Sequence, residues 1–306
     1  MITFALWGGF LFIILFSLLL DFGVFQRKNH VVSLKEALIH TGYWVFISLA
    51  FNALIYFYLG SEAALQFFTG YLVEKSLSVD NLFVFLLIFT AFKVPAIYQH
   101  KILFWGILGA IFFRFTLIVI GIELITQFHW ILYLLGAFLL FTGIKLVTKP
   151  EHKIRKEKSF LVAGFKKIFP VAHGDGKGKF FITERGQRKM TILFLVLLTI
   201  ESTDIIFALD SIPAIFAITT DPFIVYTSNV FAVLGLRELY FLLHRSMEKL
   251  RFFRYGLALI LCFVGAKLAL ADIYPISLIV SLSVILSILF GTALLSLTWG
   301  KRWSVR

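Results

Sequence analysis

The chain has 306 residues, of which 60% are hydrophobic and 15% charged, with a formal net charge of +12 and a mean hydropathy of +0.93. That composition, in long uncharged apolar stretches, excludes an ordinary soluble domain and points to bilayer spans. The positive balance gathers in loops that would face anionic lipid head groups, so no nucleic-acid partner is expected; the single Cys262 excludes an intrachain disulfide and a thiolate metal site.

Hydrophobic length predicts an all-α polytopic membrane protein with nine transmembrane helices, at roughly 2–22, 38–60, 67–92, 101–121, 128–148, 190–218, 224–244, 253–271 and 275–298. The apolar N-terminus has no basic n-region and no small-residue cleavage site, and reads as the first span. Five alternate connections and tails carry 24 lysines and arginines, among them Arg27, Lys93, Arg245 and Lys301, with twelve in segment 149–189. The intervening loops near Glu62, Glu123, Asp221 and Asp272 carry none. The positive-inside rule then places the N-terminus outside and the C-terminus in the cytoplasm of a bacterial inner membrane. Segment 149–189 holds Gly174-Asp175-Gly176-Lys177-Gly178-Lys179, which completes no phosphate-binding motif, and reads as a flexible basic cytoplasmic loop.

An internal repeat divides the chain. Glu74 and Asp80 are spaced as Asp204 and Asp210 are. Asp80 precedes Asn81 as Asp210 precedes Ser211, and Phe141-Thr-Gly-Ile-Lys145-Leu matches Phe263-Val-Gly-Ala-Lys267-Leu. The expected parts are two N-terminal helices (1–66), a first three-helix unit (67–148), the basic loop (149–189), a second unit (190–271), and a last helix with a basic tail (272–306). An odd number of spans per unit inverts the second unit, as in transporters whose sites lie at a repeat interface.

Five carboxylates, Glu74, Asp80, Glu201, Asp204 and Asp210, fall inside two of these spans. Ionised and uncompensated at mid-bilayer, they would cost on the order of 12–18 kcal/mol. They must therefore be protonated, paired, hydrated or bound to a cation. On a helix, Glu74, Ser78 and Asn81 share one stripe, and Asp204, Ala208 and Ser211 share another that Glu201 joins one turn earlier. Asp80 and Asp210 lie about 120° off these stripes by the 3.6-residue period. Pro213 predicts a helix break near Asp210 that would re-aim it. The candidate cation ligands are Glu74, Asp80, Asn81, Glu201, Asp204, Asp210 and Ser211, with Ser78 and Thr203 in support; Arg114 and Arg237 are available to neutralise carboxylates. Oxygen donors of this kind suit Mn²⁺, Mg²⁺ or Ca²⁺ rather than soft metals. No hydrolase motif accompanies them, so an enzyme is not expected, and no organic cofactor is implied.

At these residues the sequence resembles the TerC family of integral membrane proteins, closest to its Alx-like branch. The resemblance rests on Glu74-Lys-Ser-Leu-Ser-Val-Asp-Asn-Leu-Phe-Val-Phe85, on Glu201-Ser-Thr-Asp-Ile-Ile-Phe-Ala-Leu-Asp-Ser-Ile-Pro-Ala-Ile215 and on Thr227-Ser-Asn-Val-Phe-Ala-Val-Leu-Gly-Leu-Arg237. It implies metal-ion homeostasis, with manganese export as the activity of Alx-like members and tellurium resistance as the origin of the family name. A membrane exporter of divalent manganese, with protons as counter-species, is the expectation. The alternative is a membrane-embedded scaffold that metallates or assists exported proteins, docking through the basic loop. Expected partners are the bilayer and a metal cation, with a second copy or another membrane protein compatible with either reading.

Overall fold

The computed structural model describes residues 2–20, 33–128, 130–148, 178–184, 187–244, 252–274 and 276–299. Most of the basic loop, the basic tail and the charged stretch 245–251 lie outside them. The described chain is mostly helical. In order it forms α1 (Ile2–Leu20), α2 (Leu34–Leu59), α3 (Ser61–Ala91), α4 (Ala96–Gln127), α5 (Ile131–Thr148), the strands β1 (Phe181–Glu184) and β2 (Gln187–Met190), then α6 (Ile192–Phe216), α7 (Pro222–Leu234), α8 (Leu236–His244), α9 (Phe253–Ala269) and α10 (Leu278–Trp299).

Five described helices are long and apolar enough to cross a membrane: α2, α4, α5, α6 and α10. The other expected spans fall on α1 and α9, whose apolar stretches are shorter, on the interrupted pair α7–α8, and on α3, which is long but charged. The polarity of the bundle is inverted relative to a soluble protein. Phe12, Phe46, Phe57, Ile279 and Phe290 lie on the outside, while Glu74, Arg114, Thr227, Ser228 and Asn229 are buried. Lipid takes the apolar exterior, and the polar interior marks function.

Helix starts follow local chemistry. Ser33 accepts from the Glu36 N–H while Glu36 reaches back to Ser33, a capping box that opens α2. Asp221 accepts from the N–H groups of Phe223 and Ile224, and Pro222 takes the first helical position of α7. Phe10, Phe51, Phe67 and Phe231 then join α1, α2, α3 and α7 in one aromatic cluster, with the Phe51 and Phe231 rings 4.8 Å apart.

Three expectations are corrected. The helix break foreseen at Pro213 is absent: α6 runs helically from Ile192 to Phe216 with Pro213 inside it. Proline removes one donor, and a buried helix can absorb that loss through its neighbours; the Pro213 carbonyl still accepts from the Ala217 N–H at 3.2 Å. The discontinuity lies instead at Gly235, between α7 and α8. There Lys75 of α3 donates to the Ala232 carbonyl at 3.0 Å, and an added Cβ at Gly235 would lie 2.6 Å from the Lys75 Nζ. Finally, the all-α expectation misses a hairpin. Residues 181–184 pair antiparallel with 187–190, Phe181 opposite Met190. The end of the predicted flexible loop is thus ordered, with Arg188 over the Phe181 ring and Thr191 donating to the Lys179 carbonyl at 2.7 Å.

Glycines set the closest helix contacts. An added Cβ at Gly265 (α9) would lie 2.8 Å from the Gly136 carbonyl and 2.8 Å from the Leu140 nitrogen of α5. An added Cβ at Gly143 (α5) would lie 2.9 Å from the Ala258 carbonyl and 3.1 Å from the Cys262 nitrogen of α9. The two sets interchange when Gly136, Leu140 and Gly143 are swapped with Ala258, Cys262 and Gly265, each one 122 positions on. Residue numbers rise along one helix as they fall along the other, so α5 and α9 are antiparallel. The same exchange appears where Gly70 of α3 abuts Ser228 of α7 and Gly106 of α4 abuts Ile200 of α6. Small residues let backbones approach where lipid supplies no hydrophobic drive between helices. Gly265→Ala should therefore destabilise the protein in detergent by about 1–3 kcal/mol through overpacking. Gly291→Ala in α10, with nothing within 4 Å, should leave thermal unfolding unchanged or raised.

Candidate functional site

The centre of the bundle is one guanidinium. Arg114, on α4, is 0% exposed. Its Nε and Nη2 donate to the two carboxylate oxygens of Asp204 on α6, each at 3.1 Å. Its Nη1 donates to Glu74 on α3 and, at 3.1 Å, to the Asn229 side-chain carbonyl on α7. Asn229 closes the ring by donating its amide to Glu74 at 3.1 Å, and Ser78 donates to Glu74 at 3.3 Å, one turn along α3. Four helices thus meet through one arginine, whose planar fork suits two-point contact with Asp204. Glu74 and Asn229 are 0% exposed and Asp204 is 4% exposed.

The charge count is uneven. Two carboxylates share one cation, so the ring carries one excess negative charge if both acids are ionised. Burial makes that excess expensive unless further hydrogen bonds or another cation meet it. Ser78 and the Asn229 amide supply two donors, both to Glu74.

Glu201 stands one turn before Asp204 on α6 and packs against α4. Its carboxylate lies directly over Gly109, where any added Cβ would overlap it. Its Oε2 is buried and has no hydrogen-bond partner. Glycine at 109 is needed for space here rather than for backbone freedom. Asp210 faces a different neighbour: Thr142 of α5 donates to it at 3.2 Å. That placement matches its position off the Glu201–Asp204–Ser211 stripe. Ser211 is buried with its hydroxyl unpartnered, and Asn81 is buried on the Glu74 side of α3. Thr203 spends its hydroxyl on the Thr199 carbonyl at 2.7 Å. The Asp80 backbone lies within α3, and its side chain lies outside the described residues. Among those residues no three His, Cys, Asp or Glu side chains gather in a metal-binding group.

Arg237 belongs to a second polar centre. Its Nε donates to Glu238 at 2.8 Å, with both side chains buried, beside the α7–α8 break. Sequence reasoning missed Asn229 and Glu238. Both had a signal: an amide and a carboxylate inside an apolar run, within or next to the motif that ends at Arg237.

Comparison with known proteins agrees with this architecture. The family model described as "Integral membrane protein TerC family" matches residues 59–304. A membrane protein of Myxococcus xanthus, STKORF319, is 47% identical over 293 residues, covering 96% of this chain and 92% of its own. Proteins provisionally named membrane-bound redox modulator Alx are similar too. The one from Salmonella typhi is 45% identical over 303 residues, covering 96% of this chain and 94% of its own. The one from Escherichia coli K12 is 44% identical over 300 residues, covering 95% and 94%. No solved structure matches the chain.

The ring predicts an ordered set of stabilities. Arg114→Ala leaves two buried carboxylates without a counterion and should cost about 3–5 kcal/mol. Glu74→Gln leaves Arg114 paired one-to-one with Asp204 and should cost clearly less. Thermal unfolding of the purified variants in detergent checks the order; equal losses would contradict the charge count.

Proposed function

Taking as premise that the chain belongs to the TerC family of integral membrane proteins, we propose that it transports metal ions and exports divalent manganese through an acidic site between two inverted three-helix units, with protons as the counter-species. One observation carries this reading: Glu74 and Asp204, at the same position of the repeated motif, converge on a single buried cation and outnumber it. A buried site with more carboxylates than bases calls for a positive ion to complete it. The available donors are carboxylate, amide and hydroxyl oxygens, the chemistry that hard divalent ions prefer.

The inverted repeat underlies the mechanism. Units 67–148 and 190–271 are read as α3–α5 and α6–α9, with the broken pair α7–α8 as counterpart of α4. The nine spans are then α1 to α6, α7–α8 together, α9 and α10. The interchangeable glycine contacts of α5 with α9, and of α3–α7 with α4–α6, support a twofold relation between the units. Transporters so built alternate access by rocking one unit against the other around a fixed midplane site. In this reading Glu74 and Asp204 form the centre of the site. Asn81, Asp210 and Ser211 supply further oxygen donors along the same two helices, Asp80 matches Asp210 in the repeated spacing, and Glu201 adds a carboxylate one turn away.

The relatives' name speaks of redox modulation. The only thiol, Cys262, packs against Gly143 and can form no intrachain disulfide. A redox role would therefore run through the ion the protein handles. Reconstituted vesicles test the proposal. Wild-type protein should move Mn²⁺ across the bilayer under a proton gradient, and Asp80→Asn and Asp210→Asn should lose the flux while remaining folded. Wild-type vesicles no faster than protein-free ones would refute it.

A further inference from the structure

The ring explains how the acids tolerate burial, but it also fills the place an ion would take. Glu74 and Asp204 are closed off by Arg114, Asn229 and Ser78. An arginine stays charged under all ordinary conditions, so it leaves the pair only if another cation replaces it and another anion receives it.

The structure offers a group for each condition. Contacts along α4 and α6 rise together: Gly106 with Ile200, Gly109 with Glu201, Arg114 with Asp204, Gly121 with Phe216. The two helices are therefore parallel, and Glu201 lies on the N-terminal side of Arg114. Helical side chains lean toward the N-terminus of their own helix, so the Arg114 side chain leans toward Glu201. Glu201 and Asp204 are three positions apart on α6, a rise of about 4.5 Å, which a change of rotamer in so long a side chain covers. The Glu201 Oε2 is buried with no hydrogen-bond partner. Gly109 carries no side chain, and the Glu201 carboxylate sits in the space this leaves against α4.

We propose that Arg114 is a tethered competitor of the transported cation, and that Glu201 is the carboxylate to which it moves when the cation enters between Glu74 and Asp204. The inference rests on the cation-transport reading and assigns Glu201 a partner other than the ion. The charges favour it. Arg114 leaves the Glu74–Asp204 pair one charge short of neutral, whereas a divalent ion neutralises the pair and frees Arg114 to neutralise Glu201. A monovalent ion offers the acids no more charge than the arginine already does. The competitor thus acts as a filter for valence, and it keeps the empty carrier from holding two bare acids in the membrane.

Mn²⁺ binding to purified protein, followed by the electron paramagnetic resonance of the free ion, tests this with a double-mutant cycle. Arg114→Gln, prepared in Mn²⁺, should bind the ion about tenfold more tightly than wild type, a coupling of ordinary size. Its thermal stability should depend on Mn²⁺, and excess Na⁺ should displace the ion more readily than in wild type. Glu201→Gln should weaken binding about tenfold in the wild-type background and leave it unchanged in the Arg114→Gln background, because its role operates only through the arginine. Equal weakening in both backgrounds makes Glu201 a direct ligand and overturns the inference while leaving cation transport standing, as does an Arg114→Gln protein that binds no more tightly than wild type. A wild type that binds no Mn²⁺ overturns both. If Arg114→Gln cannot be recovered folded even with Mn²⁺, Arg114→Lys decides: its point charge loses the two-point grip on Asp204, so tighter binding than wild type sustains the inference and unchanged binding overturns it.

Discussion

One buried guanidinium organises this molecule. Arg114 joins α4 to α3, α6 and α7 at once, and each partner it holds is a polar group that could not otherwise sit in a membrane interior. Removing Glu74 or Asp204 changes a charge balance as well as a bond. Helices that lipid would not push together are held by this ring and by glycine contacts that let them approach closely, among them Gly70 of α3 against Ser228 beside the ring and the backbone packing of α5 on α9.

The same ring makes the protein's chemistry asymmetric. Glu74 and Asp204 each stand six residues before a second aspartate, whereas Arg114 is a single arginine on α4. Arg237 pairs instead with Glu238 beside the break at Gly235. Lys75 reaches the Ala232 carbonyl freed near that break.

Much of this was legible in the sequence. Helical period placed Glu74, Ser78 and Asn81 on one stripe and Asp204, Ala208 and Ser211 on another, and all six are buried. It also set Asp210 apart, and Asp210 turns to Thr142. The pairing partner of each acid was not legible, because Arg114 is 40 residues from Glu74 and 90 from Asp204, and no local rule spans that distance. Pro213 misled for a related reason: proline's lost hydrogen bond is a local penalty, and the packing around α6 outweighs it. Gly235 fell inside the expected span 224–244, and the helix is interrupted there. The strand pair 181–184 and 187–190 was lost within the charge of its surroundings, although its four residue pairs are in antiparallel register.

The proposed function rests on Glu74 of α3 and Asp204 of α6 holding the cation together. Titration of purified protein with Mn²⁺ tests it most directly. Wild type should take up the ion at a saturable site, and Glu74→Gln and Asp204→Asn should each abolish that site while the protein remains folded. Undiminished binding in either folded variant would contradict the claim.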